Sequence, residues 1–112
     1  VMGTSLYASC IYYSKKEADG DVLKVYKNVK IDNRESELKR FPGEEIVYIV
    51  NATSAYNAPE DEKFNHLVVL TNSATGWKLY RFNVIGQTPE IETEPVFVYS
   101  GKGTAGYVML RK

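Results

Sequence analysis

The sequence predicts an all-β chain assembled from antiparallel β-repeats. The first observation behind this is self-similarity. Lys24-Val25-Tyr26-Lys27-Asn28-Val29 returns as Lys78-Leu79-Tyr80-Arg81-Phe82-Asn83-Val84, a period of roughly 54 residues. The second is matched punctuation. An apolar run and a turn precede each copy, Cys10-Ile11-Tyr12-Tyr13 before Asp19-Gly20 and Leu67-Val68-Val69-Leu70 before Thr75-Gly76. An aromatic and a glycine follow each, Phe41-Pro42-Gly43 and Tyr99-Ser100-Gly101, leading into further apolar segments. The third is composition: nine tyrosines, together with Val, Ile and Thr, supply side chains that suit a pleated, half-buried surface. A strand-filled period of this size marks β-propeller blades or related arrays. On that reading repeat units 1–43 and 44–101 and a closing strand within 102–112 amount to about two blades. The alternative is a β-sandwich or open barrel.

Strand-like segments follow from periodicity and turn residues at 5–14, 22–28, 37–40, 45–51, 66–72, 77–84, 96–99 and 107–111, with no convincing helix. Asp19-Gly20 and Thr75-Gly76 supply positive-φ residues, so each reads as a hairpin between the second and third strands of a unit. In the segment 77–84, Trp77, Leu79, Arg81 and Asn83 fall on one face and Lys78, Tyr80, Phe82 and Val84 on the other. Both faces carry apolar groups, which predicts a strand between packed layers. The segment 22–26 reads the same way, its lysine stem able to cover apolar surface while the ammonium reaches water. Pro89 and Pro95 bracket the acidic stretch Glu90-Ile91-Glu92-Thr93-Glu94, an exposed connection or edge. The longest irregular segment, 52–65, holds Tyr56 and the acidic cluster Glu60-Asp61-Glu62.

In propeller terms, 22–28 and 37–40 are the third and fourth strands of a partial first unit. The segments 45–51, 66–72, 77–84 and 96–99 complete a second unit, and 107–111 begins another. About two blades cannot close a ring of roughly four to eight, so a larger chain or an assembly of copies is expected. The chain begins with Val1 and not methionine, which adds to the expectation of a processed product or a piece of something larger.

The 112 residues include 44% hydrophobic side chains, enough for one domain with a core. Fourteen basic residues balance fourteen acidic ones, leaving no net field to draw nucleic acid or an anionic membrane. The apolar runs are only a handful of residues long, against about 20 for a spanning helix. Cys10 is the single cysteine, which excludes an intrachain disulfide and a cysteine-based zinc cluster. The run Leu6-Tyr7-Ala8-Ser9-Cys10 lacks the basic and long apolar segments that a lipoprotein signal requires, so Cys10 reads as a strand residue.

The segment 76–112, with its "GWKLYRFNV", its "PEIETEPVFVYSGKG" and its final apolar stretch, resembles the C-terminal end of the PKD-like surface lipoproteins of Bacteroidetes. The phrase "RFPGEEIVYIVN" resembles the preceding blade junction. The similarity covers the chain from about Leu6 onward and rests on strand-and-turn patterns. It implies a propeller-like region of an extracellular or cell-surface, outer-membrane-associated protein engaged in nutrient capture, with no defined reaction. The N-terminal modules, lipid anchor and most blades of that pattern have no counterpart in this sequence.

Chemistry is sparsely signalled. His66 is the only histidine and no Gly-x-Ser-x-Gly elbow accompanies it, so a serine nucleophile has no evident base. Glu44, Glu45, Asp61 and Glu62 are plentiful carboxylates without the paired placement that glycoside cleavage needs. Ser73-Ala74-Thr75-Gly76-Trp77 lacks the aspartate of a sialidase-type box and reads as a hairpin with a packed tryptophan. Asp19-Gly20-Asp21 offers too few oxygens for a calcium loop, and Asn51-Ala52-Thr53 matches a glycosylation sequon. No catalytic residue, metal ligand or cofactor is expected. Ligand contacts are expected from Tyr56 in the long loop and from Lys15, Lys16, Ser73, Thr75 and Lys102, which a propeller would gather on one rim. The ligand would be a glycan, peptide or protein. The overall expectation is a non-enzymatic binding or assembly module, or else a structural adhesin-like sandwich.

Overall fold

A computed structural model describes residues 2–4, 10–29, 32–55, 57–85 and 90–103. The chain is all-β. The strands are β1 (Met2–Thr4), β2 (Cys10–Glu17), β3 (Gly20–Val29), β4 (Asp32–Pro42), β5 (Glu44–Thr53), β6 (Asn65–Ser73), β7 (Gly76–Asn83) and β8 (Phe97–Gly101), with a short 3₁₀ turn at Glu60–Glu62. They form two four-stranded sheets, each an antiparallel meander in sequence order: sheet I is β1-β2-β3-β4 and sheet II is β5-β6-β7-β8. Of the strand expected over 5–14, residues 10–14 lie in β2 and 5–9 lie outside the described residues; β1, at Met2–Thr4, pairs with β2 and gives the first unit four strands. The expected strand at 107–111 lies outside the described residues.

The repeat is structural. The β2–β3 and β6–β7 hairpins both turn on glycines with positive φ, Gly20 at 145° and Gly76 at 136°. A Cβ at Gly20 would sit 2.3 Å from the Phe41 carbonyl oxygen, and one at Gly76 would sit 2.1 Å from that of Gly101. Only a residue without a side chain fits either place. This equivalence corrects the sequence alignment at the unit ends. Phe41-Pro42-Gly43 corresponds to Gly101-Lys102-Gly103, both ending in a positive-φ glycine, and not to Tyr99-Ser100-Gly101. The error arose because an aromatic was matched to an aromatic, whereas the backbone contact with the hairpin glycine sets the register.

One apolar cluster joins the sheets. Cys10, Tyr12, Leu23, Val25 and Phe41 of sheet I meet Ile46, Ile49, Leu67, Val69, Tyr80 and Phe82 of sheet II, with Val84 just beyond β7. Phe41 is its hinge, edge-on to Tyr80 at 5.1 Å and to Phe82 at 6.4 Å between ring centroids. Such aromatic pairs add attraction beyond their buried area. A polar link crosses the same layer, where the buried Asp21 carboxylate accepts the Ile46 N–H at 2.9 Å. The sheets therefore pack as the sandwich alternative and do not close into a barrel. The reading of about two propeller blades is corrected accordingly: each unit is a meander as expected, but the two share one core instead of standing as separate, outward-fanning blades.

The two sheets pack in the same sense. Aligning Gly20 with Gly76 places Asp21, Leu23 and Val25 of β3 opposite Trp77, Leu79 and Arg81 of β7 in the repeat. In sheet I that face looks into the core; in sheet II the core face is the other one, carried by Tyr80 and Phe82. Alternation along the strand turns Trp77, Leu79 and Arg81 away from sheet I. Leu70, registered beside Leu79, is buried yet lies outside the core cluster, as a residue of that opposite face should.

Candidate functional site

The β6–β7 hairpin and the end of β8 build a cleft of about 410 Å³ lined by Ser73, Thr75, Trp77, Lys78, Ser100 and Lys102, with Gly76 and Gly101 in its floor. Local chemistry shapes it. The Ser73 hydroxyl donates to the Gly76 carbonyl at 3.0 Å and accepts the Thr75 N–H at 3.3 Å. Its oxygen also lies 3.1 Å from the Thr75 hydroxyl. These short-range bonds brace the two-residue turn beyond the last ladder pair, Ser73 with Gly76.

Trp77 stands beside Gly101 in the register of β7 and β8. A Cβ at Gly101 would lie 2.5 Å from Trp77 Cε2, so the missing side chain is what lets the indole lie against the neighbouring strand. The ring is half-buried, and the exposed Lys78 and Lys102 also line the cleft. Behind the hairpin, on the core side, Glu44 accepts the Tyr80 hydroxyl at 2.7 and 2.8 Å and also the Thr71 hydroxyl. Burial, and then the Glu44 carboxylate, push the Tyr80 phenol well above its usual range. A second cleft of about 270 Å³, lined by Pro42, Gly43, Glu44, Ser73, Thr75 and Lys78, borders the same hairpin tip.

Of the residues expected to contact a ligand, Ser73, Thr75 and Lys102 come together here. Lys15 and Lys16 line neither cleft. They lie within β2 and not in a connecting loop, because β2 runs on to Glu17. Lys16 pairs with Glu45 across the sheets at 2.8 Å, and Lys15 is exposed on the side of sheet I away from the core, following the alternation set by Tyr12. Tyr56 lies outside the described residues. Sequence reasoning set Trp77 aside as a packed hairpin residue. The signal it lacked was Gly101, whose role depends on a strand pairing across some two dozen residues.

His66 stacks on Phe64 with ring centroids 5.2 Å apart. Burial, and then the positive charge of Arg81, lower its pKa from the ordinary value. Among the described residues no group of three His, Cys, Asp or Glu side chains could hold a metal ion, and no helix is long and apolar enough to cross a membrane. The cleft thus offers one flat aromatic ring, two ammonium groups and several hydroxyls. That set can stack on the apolar face of a sugar or planar group and donate hydrogen bonds around its edge. No family model matches the chain, and comparison with curated proteins and with solved structures returned no match.

Proposed function

We propose that this chain is a non-enzymatic binding module of a cell-surface protein, engaged in capture of a glycan or peptide through the Trp77 cleft. The observation that supports this reading is the indole lodged against Gly101 in a cleft that Lys78 and Lys102 also line. The ring is held by packing before any ligand arrives, so little side-chain freedom remains to be lost on binding. Two lysines in the cleft lining favour a ligand bearing a carboxylate or other anionic group. The outer-surface location, the link to nutrient uptake and the likeness to PKD-like surface lipoproteins of Bacteroidetes belong to this proposal and rest on the strand-and-turn resemblance. A structural, adhesin-like role is the second reading, favoured by the single core that the two sheets share.

A glycan and peptide array followed by calorimetric titration of the best hits tests the binding reading. Trp77→Ala is expected to weaken binding by about tenfold or more, the loss of roughly 1.4 kcal/mol, and Lys102→Ala to weaken anionic ligands selectively. A wild-type chain that captures nothing on the array, or Trp77→Ala binding as tightly as wild type, overturns the cleft as a binding site and leaves the structural role.

A further inference from the structure

The same-sense packing of the two meanders leaves one face of each sheet without a partner sheet among the described strands, and the two faces are different surfaces. On sheet II the unpartnered face carries a straight apolar row across all four strands. Tyr48 pairs with Leu70, Leu70 with Leu79 and Leu79 with Tyr99. Leu70 is buried between its neighbours, while Tyr48 and Tyr99 at the row's ends are 43% and 61% exposed. On sheet I the unpartnered face carries Ile11, 38% exposed, with Tyr13 and Tyr26 half-buried beside it.

The repeat says which surface fits which. By the Gly20–Gly76 alignment, Ile11, Tyr13 and Tyr26 occupy the positions of Leu67, Val69 and Phe82. Those are the sheet II residues that cover sheet I inside the chain. Likewise Leu79 occupies the position of Leu23, a residue of the covered core face of sheet I, and Leu70 that of Ser14 on the same face beside it. The chain therefore ends one of its two layers in a surface of the type that receives, and the other in a surface of the type that covers.

We infer that a second copy of this chain docks head to tail, its Ile11, Tyr13 and Tyr26 face lying on the Tyr48, Leu70, Leu79 and Tyr99 face of the first. The contact continues the internal sheet-on-sheet interface by one more layer. It joins two different surfaces, so it is heterologous: each copy that docks still presents both faces at the ends of the stack, and growth stops only by closing a ring. Two of the cations on this side of sheet I are already paired within the copy, Lys24 with Glu35 and Arg40 with Glu37 at 2.9 Å, which lowers the cost of desolvating them, while exposed Lys15 lies toward the hairpin end of the same face.

Sedimentation of the full chain from micromolar to millimolar concentration tests the contact. Wild type is expected to exceed the mass of one chain, and to pass beyond a dimer as concentration rises. A receiving-face variant, Tyr48→Asp with Tyr99→Asp, and a covering-face variant, Ile11→Asp, are each expected to remain monomeric. Mixed one to one they are expected to form a dimer that stops there, because only one intact face of each kind remains. All these positions are exposed, and a far-UV spectrum matching wild type confirms that each variant is folded. Wild type that stays monomeric throughout overturns the inference. So does self-association of Ile11→Asp alone, which would mean a like-with-like contact, and so does a mixture that fails to pair. Trp77 stands on the same face of sheet II as Leu79, so the contact is separated from the proposed ligand cleft by Ile11→Asp, which lies on sheet I and leaves Trp77 and the other cleft residues in place.

Discussion

At the scale of single residues, Asp21 is a buried polar side chain that joins the two layers. It is 5% exposed, and its carboxylate accepts the Ile46 N–H at 2.9 Å. This meets the need of a buried backbone donor at the start of β5, close to the bulge between Ile46 and Tyr48. Asp21→Ala strands that donor in an apolar layer, and the expected cost is about 1–3 kcal/mol. Asp21→Asn keeps an acceptor oxygen and is expected to lose less. Urea unfolding of both variants measures the difference; equal midpoints for Asp21→Ala and wild type would remove the bond from any account of how the layers are held.

At the scale of elements, three glycines separate two kinds of constraint. Gly20 and Gly76 combine positive φ with carbonyl oxygens 2.3 and 2.1 Å from where a Cβ would stand. Gly43 has φ of 72° but nothing within 4 Å. An alanine at Gly43 bears only the conformational penalty, about 1 kcal/mol. At Gly20 or Gly76 it must also push the end of the fourth strand away from the hairpin. Gly20→Ala and Gly76→Ala are therefore expected to lower the melting temperature clearly more than Gly43→Ala does. A ranking with Gly43→Ala as the most harmful of the three would mean that the hairpins do not set the strand register.

At the scale of the whole molecule, sheets I and II depend on each other because Phe41, from the last strand of one unit, sits among Tyr80 and Phe82 of the next. Phe41→Ala opens a cavity at that junction and is expected to cost about 3–5 kcal/mol. With one tryptophan in the chain, its fluorescence reports sheet II alone, whereas circular dichroism reports both sheets. The two probes are expected to follow one unfolding transition in wild type. Separate transitions would show that each meander stands by itself.

The sequence by itself determined the class, most strand positions, the two hairpins and the division into near-equivalent units, since alternation, β-branched and aromatic content and glycine turns act over a few neighbouring residues. It also brought Ser73, Thr75 and Lys102 into consideration, as residues of connections that a propeller would gather on one rim. Only the tertiary structure decided that the units share a sandwich core, that Lys15 and Lys16 stand apart from the cleft, and that Trp77 lies on Gly101. Each of these depends on which face of a strand meets which partner across tens of residues. For strands apolar on both sides, such as 77–84, local pattern does not choose between the faces; the packing of Phe41 against Tyr80 and Phe82 does.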